Sequence, residues 1–238
     1  MSLRAVLFDA GNTLLFLDYP RLAPAVGQAT GVELTAAMLE AQARPAALAL
    51  ERADTSDRER ASRYLETLFR LAGVPDARMS TVRDTLFALH REKHLWGGLK
   101  AGTVAALGRL RGAGLRLAVV SNSDGRAEEG LEAAGLREFF ELVIDSQVVG
   151  FEKPDPRIFQ AALDRMELSA PEAVYVGDIY EVDVVGARRA GMDVILLDPL
   201  GNHLGRDVRT ARNLTEVVDL VLGSAAARPP GHGQPSTP

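Results

Sequence analysis

Short apolar runs alternate along this chain with helix-like stretches, and most of the runs stop at a cluster of small polar or acidic residues. The first run, Arg4-Ala5-Val6-Leu7-Phe8, ends at Asp9. Its length and β-branching favour a buried strand over a helix. Leu115–Val120, Ala173–Val176 and Val194–Leu197 read the same way. Each follows a helical stretch that closes at a stop: Arg111-Gly112-Ala113-Gly114, then a weaker boundary at Leu168–Pro171, then Ala190-Gly191. A further strand is expected at Leu142–Ile144, after a helix Arg126–Ala134 and its stop at Gly135. Strands alternating with helices require crossover connections. The expected class is therefore α/β, a parallel sheet with helices on both faces. Ligands of such sheets sit at the carboxyl ends of the strands, and the polar clusters fall there or on the loops that follow.

From about Phe16 to His94 the alternation stops. This stretch offers no convincing strand, but it carries helical patterns at Leu34–Leu50, Arg58–Leu71 and Thr81–His90. Gly31, Ala72-Gly73-Val74-Pro75 and Trp96-Gly97-Gly98 separate or close them. A helical stretch of this length after the first strand reads as an inserted cap. The expected division is 1–16 with 97–224 for the sheet core and 17–96 for an all-helical cap. A tail at 225–238, rich in Ala, Pro and Gly and without a packing face, is expected to be disordered.

Composition narrows the chemistry. A net charge of −5 over 238 residues gives no global pull toward nucleic acid. No run approaches the roughly 18–20 apolar residues needed to cross a bilayer, and no basic segment precedes an apolar one at the start. The expectation is a cytoplasmic protein without membrane or nucleic-acid partners, monomer or homodimer. The absence of cysteine excludes disulfides, thiolate catalysis and zinc sites built on sulfur.

Four polar clusters follow in order: Asp9-Ala10-Gly11-Asn12-Thr13, Ser121-Asn122-Ser123, Lys153-Pro154-Asp155-Pro156, and Gly177-Asp178 with Asp183 beyond. Taken singly they have plain readings. Asp9 and Ser121-Asn122 suit capping turns, Asp183 suits a helix N-terminus, and Lys153 suits a solvated loop. Taken together, in this order and at these spacings, they resemble the haloacid dehalogenase superfamily, in its members with a helical cap inserted after the first motif. The resemblance runs from about Arg4 to Gly223. It implies a Rossmann-like core and a Mg²⁺-dependent hydrolase, a phosphatase acting on a small phosphorylated metabolite. By the same resemblance, Asp9 is the nucleophile that forms an aspartyl-phosphate. Asp9, Asp178 and the Gly11 carbonyl ligate Mg²⁺, and Asp183 orients a metal-bound water or the lysine amine. Ser121, the Asn122 N–H and Lys153 hold phosphate oxygens, and Thr13 hydrogen-bonds near Asp9.

One departure stands out. Phosphatases of that superfamily carry a second aspartate two residues after the nucleophile as acid and base, and here Gly11 occupies the place. Such help is typically worth about 10²–10⁴ in rate. Asp18, Tyr19 and His94 lie near the expected junctions as substitutes, and a substrate with a good leaving group would need none. Three other readings share the gap. A 2-haloacid dehalogenase-like hydrolase would hold halide with an arginine such as Arg21 or Arg44, but those enzymes lack the Gly177-Asp178 form. A non-catalytic binding member would have little reason to keep clustered carboxylates, which repel one another. A phosphonate-cleaving relative needs a cap lysine, and no lysine precedes Lys93. His90 and His94 have the spacing of a metal pair, but the sequence shows no third ligand.

Overall fold

The computed structural model describes residues 2–50, 57–199, 201–203 and 205–226. Strand β1 (Ala5–Phe8) is buried at all four positions, as a strand covered on both faces must be. The chain then passes through β2 (Phe16–Leu17) into helices α1 (Tyr19–Thr30), α2 (Ala36–Leu50), α3 (Asp57–Leu71) and α4 (Met79–Glu92). It returns by way of β3 (Trp96–Gly98), which pairs with β2. Next come α5 (Thr103–Gly112), β4 (Arg116–Ser121), α6 (Ala127–Ala133), β5 (Leu142–Asp145) and α7 (Ser146–Val149). Then follow α8 (Pro156–Arg165), β6 (Ala173–Gly177), a π-helical turn at Tyr180–Val184, and α9 (Val185–Arg189). β7 (Asp193–Leu197), β8 (Arg209–Ala211) and α10 (Leu214–Ala226) complete the described chain.

The main sheet has the order β5-β4-β1-β6-β7-β8, and its pairings are parallel. From β1 the chain steps outward to β4 and β5, then crosses back to β6 on the other side. The reversal therefore lies between β1 and β6, where a Rossmann-like sheet opens a crevice at its carboxyl edge. Register fixes which residues meet there. Phe8 faces Val119 on one side and Val176 on the other, so Asp9, Ser121 and Asp178 all emerge at the same edge.

The chain divides into two compact units, Met1–Phe16 with Leu99–Pro238, and Leu17–Gly98. The first is built around Leu7, Val120, Ile158, Phe159, Tyr175 and Leu196. Phe159 meets the Tyr175 ring edge-on at 4.9 Å. The second has its own core, with Leu22, Val26, Leu39, Leu68, Phe69 and Val82 among its buried residues. Among the described residues no helix is long and apolar enough to cross a membrane.

Several expectations need correcting. The expected cap is not all-helical at its borders, because Leu17 and Trp96–Gly98 are strand residues, and the second border falls after Gly98 rather than Trp96. Helix α1 lies where no helix was expected. Asp18 caps it by accepting from the Arg21 N–H at 3.3 Å, and Pro20 falls in the first turn, where its missing donor costs nothing. Pro24 and Gly27, inside the helix, hide it from a propensity reading. Strand β8 was likewise not expected, and α10 runs through Ala226, past the expected start of the tail. The remainder of that tail, 227–238, lies outside the described residues.

Candidate active site

Strand pairing runs one residue past β1, since the Asp9 N–H donates to the Val176 carbonyl at 2.8 Å. The loop then doubles back. Leu14 N–H donates to Ala10 O at 2.9 Å, Asn12 N–H donates to Leu15 O at 2.7 Å, and Gly11 bridges Leu15. Asn12 takes a left-handed φ of 54°, a conformation asparagine tolerates better than most residues. Thr13 is fully buried, and its hydroxyl has no hydrogen-bond partner among the described residues.

Lys153, in the loop between α7 and α8, is only 3% exposed. A buried ammonium costs several kcal/mol unless it is paired, and here it is paired at each hydrogen. Nζ donates to Asp9 Oδ1 at 2.5 Å, to Asp183 Oδ1 at 2.8 Å and to Tyr175 Oη at 3.0 Å. Burial pushes the lysine pKa down, but the carboxylates of Asp183 and Asp9 outweigh it and hold the ammonium well above the ordinary lysine range. Burial also raises the Tyr175 phenol well above its ordinary value, with Asp183 adding to the effect. The hydroxyl stays protonated at neutral pH. The Lys153 main chain is gripped as well: its N–H donates to Asn122 Oδ1 at 2.7 Å, and Asn122 Nδ2 donates to its carbonyl at 3.0 Å.

Asp183 sits in the π-helical turn, where its Oδ2 accepts from the backbone N–H groups of Asp178 (3.1 Å) and Ile179 (2.9 Å). A wide turn of this kind recurs at functional sites. Gly177 has to be glycine, because a Cβ there would fall inside the Asp183 carboxylate. Carboxylate oxygens of Asp9, Asp178 and Asp183 all lie within 4.8 Å of one another. Two oxygens on one Mg²⁺ sit roughly 3 Å apart when adjacent and roughly 4 Å when opposite. Three carboxylates at this separation, two of them bonded to the Lys153 ammonium, offer oxygen donors that fit a small hard divalent ion.

The expected residues thus divide as follows. The structure brings Asp9, Lys153, Asp178 and Asp183 together. Ser121, 5% exposed, ends β4 at the same edge, and Asn122 follows it with its side chain committed to Lys153. Gly11 and Thr13 lie in the loop after Asp9. Of the residues weighed as a substitute acid, Asp18 caps α1, and His94 Nδ1 accepts from the Trp96 N–H at 3.2 Å. Tyr19 packs against the core of the helical unit. Arg21, considered as a halide ligand, donates through Nη2 to the carbonyls of Lys93 (2.8 Å) and His94 (3.3 Å).

Sequence reasoning missed Tyr175, Asp145 and Ser146, and it assigned Asn122 only its backbone N–H. Tyr175 reads as an ordinary strand residue, though a buried tyrosine usually finds a partner for its hydroxyl. The grip of the Asn122 side chain spans a long loop. Asp145, buried at the end of β5, accepts from the N–H groups of Gly125 (3.1 Å), Ala127 (3.0 Å) and Gln147 (2.9 Å). Ser146 Oγ, next to it, accepts from Ser123 N–H at 3.0 Å. Together they tie down the loop after β4. An Asp at a strand end was the available signal.

Residues 3–191 match the haloacid dehalogenase-like hydrolase family. The haloacid dehalogenase-like hydrolase domain-containing protein 3 of Bos taurus is 33% identical over 213 residues, 83% of this chain and 82% of that protein. Its Mus musculus counterpart is 45% identical over 130 residues, 54% of this chain, and the match spans 51% of the mouse protein, about half its length. A glyceraldehyde 3-phosphate phosphatase of Methanothermobacter thermautotrophicus is 41% identical over 106 residues, 44% of this chain and 47% of that protein. Among solved structures, a HAD phosphatase from Thermococcus onnurineus superposes with a TM-score of 0.59 at 24% identity, covering 93% of this chain and 98% of that one.

Proposed function

Because this chain belongs to the haloacid dehalogenase-like hydrolase family, we propose that it is a Mg²⁺-dependent phosphatase of small phosphorylated metabolites, with Asp9 as nucleophile. The observation that carries this reading is the buried Lys153, which links Asp9 to Asp183 while Asp178 lies within reach of the same ion. A non-catalytic binder would gain nothing from so costly a cluster. Relatives named as phosphatases support the substrate class.

Asp9 needs no base, since a carboxylate is ionised at neutral pH. Its Oδ1 is held by Lys153, which fixes the rotation of the carboxylate. In the proposed first step an Asp9 oxygen attacks phosphorus, the ester P–O bond breaks, and the leaving oxygen departs with the bonding pair and takes its proton from solvent. Water then attacks the aspartyl-phosphate, releasing inorganic phosphate and restoring Asp9. Lys153, the Ser121 hydroxyl and the Asn122 N–H meet the phosphoryl oxygens. Asp9, Asp178 and the Gly11 carbonyl would hold Mg²⁺, which reduces the repulsion between nucleophile and phosphate and spreads the transition-state charge. Asp183 orients Lys153 and the backbone of Asp178 and Ile179.

Gly11 supplies no acid, so the leaving group must do more of the work. Turnover of p-nitrophenyl phosphate and acetyl phosphate should exceed that of alkyl phosphates in assays with Mg²⁺, with Asp9→Asn as the blank. Equal turnover of both types would mean that another residue provides the acid. Chelator-insensitive hydrolysis of 2-haloacids would overturn the proposal in favour of a dehalogenase.

A further inference from the structure

Tyr175 occupies the middle of β6, between Val174 and Val176, and is fully buried. Filling that space requires a ring but no hydroxyl, and a buried hydroxyl costs free energy unless it is partnered. Its partners are all at one place. Oη lies 3.0 Å from Lys153 Nζ, 3.2 Å from Asp183 Oδ1 and 3.1 Å from Val120 O. An ammonium has no lone pair, so Lys153 is the donor in the first contact. The single phenolic proton then goes to Asp183 or to the Val120 carbonyl. An ammonium also has three hydrogens, and Asp9, Asp183 and Tyr175 are three acceptors around it. Without the hydroxyl, two carboxylates remain and the head group can rock between them.

We propose that Tyr175 is a positioning residue for the reaction: its hydroxyl completes the set of acceptors that aims Lys153 at Asp9. The proposal rests on the reading of Asp9 as nucleophile. It is separable from packing, because Tyr175→Phe keeps the ring and its edge contact with Phe159 and removes one oxygen.

Two readouts test it. In steady-state hydrolysis of p-nitrophenyl phosphate with Mg²⁺, Tyr175→Phe should lower kcat about tenfold and leave KM within about twofold, the loss expected for one hydrogen bond to a charged group. In protein labelled with ¹⁵N-lysine, the buried Lys153 ammonium should give a slowly exchanging resonance, identified by its disappearance in Lys153→Met. That resonance should broaden or vanish in Tyr175→Phe while circular dichroism stays native. If the parent turns over no phosphate ester and the resonance is still lost in Tyr175→Phe, the phosphatase reading falls and the lysine-holding role stands. An unchanged resonance in folded Tyr175→Phe overturns the proposal whatever kcat does, because any loss of rate then does not pass through Lys153. An unchanged kcat overturns it equally.

Discussion

Lys153 donates to two carboxylates and a phenol inside the protein, and such a set is stable only as a whole. Removing one partner of a buried pair typically costs about 3–5 kcal/mol, because the remaining charge is left uncompensated. Lys153→Met should therefore lower stability by about that amount in urea unfolding without Mg²⁺, and added Mg²⁺ should recover part of the loss. Unchanged stability would mean that the lysine is not the counter-charge described here. Gly177→Ala tests the neighbouring contact. The new methyl collides with Asp183, so a cost of about 1–3 kcal/mol is expected, together with a loss of phosphatase activity. A folded Gly177→Ala protein with full activity would show that Asp183 has room to move. The charged members of this group could be picked from the sequence because each is a costly residue type placed just past a strand or in the loop that follows. Tyr175 could not, since a tyrosine among valines is what a buried strand ordinarily contains. Nor could the Asn122 side chain, whose partner is a main chain 31 residues away.

At the level of elements, caps hold the loops that carry chemistry. Asp145 and Ser146 pin the turn after β4, and Asp155 caps α8 directly after Lys153-Pro154. Glu172, before β6, closes a capping box with Ser169 and bonds Arg4. Hydrogen bonds from the Ser169 hydroxyl and backbone, then from Arg4, lower its pKa from 4.5 to about 2. A pKa lowered by folding adds stability above the unfolded value and loses it as pH falls through the folded one. The parent should thus lose more stability than Glu172→Gln between pH 4.5 and pH 2, measured as the fall in urea midpoint across that window. Parallel pH profiles would contradict the assignment. The strands of the sheet other than β8 were readable because their apolar runs are short and end abruptly. Helix α1 was not, since prolines and a glycine mask its pattern. The π-helical turn has no sequence signature either, being one turn widened by a residue.

The whole chain forms two units, each with its own buried core, and the carboxylates and lysine of the candidate site all belong to the unit that contains the sheet. Their convergence follows from strand order: β1 and β6 are neighbours although most of the chain separates them, and that adjacency brings Asp9 to Asp178. A parallel sheet with its polar clusters at the carboxyl edge could be anticipated from alternating strands and helices, but the strand order could not. The central claim is that Asp9 accepts a phosphoryl group beside a divalent ion. Beryllofluoride, which mimics a phosphoryl group on a carboxylate, tests it in a thermal unfolding experiment. With Mg²⁺ and beryllofluoride together, the parent should melt several degrees higher than with either alone, and Asp9→Asn should show no such shift. A parent that does not respond, or an Asp9→Asn variant that responds equally, would contradict the account.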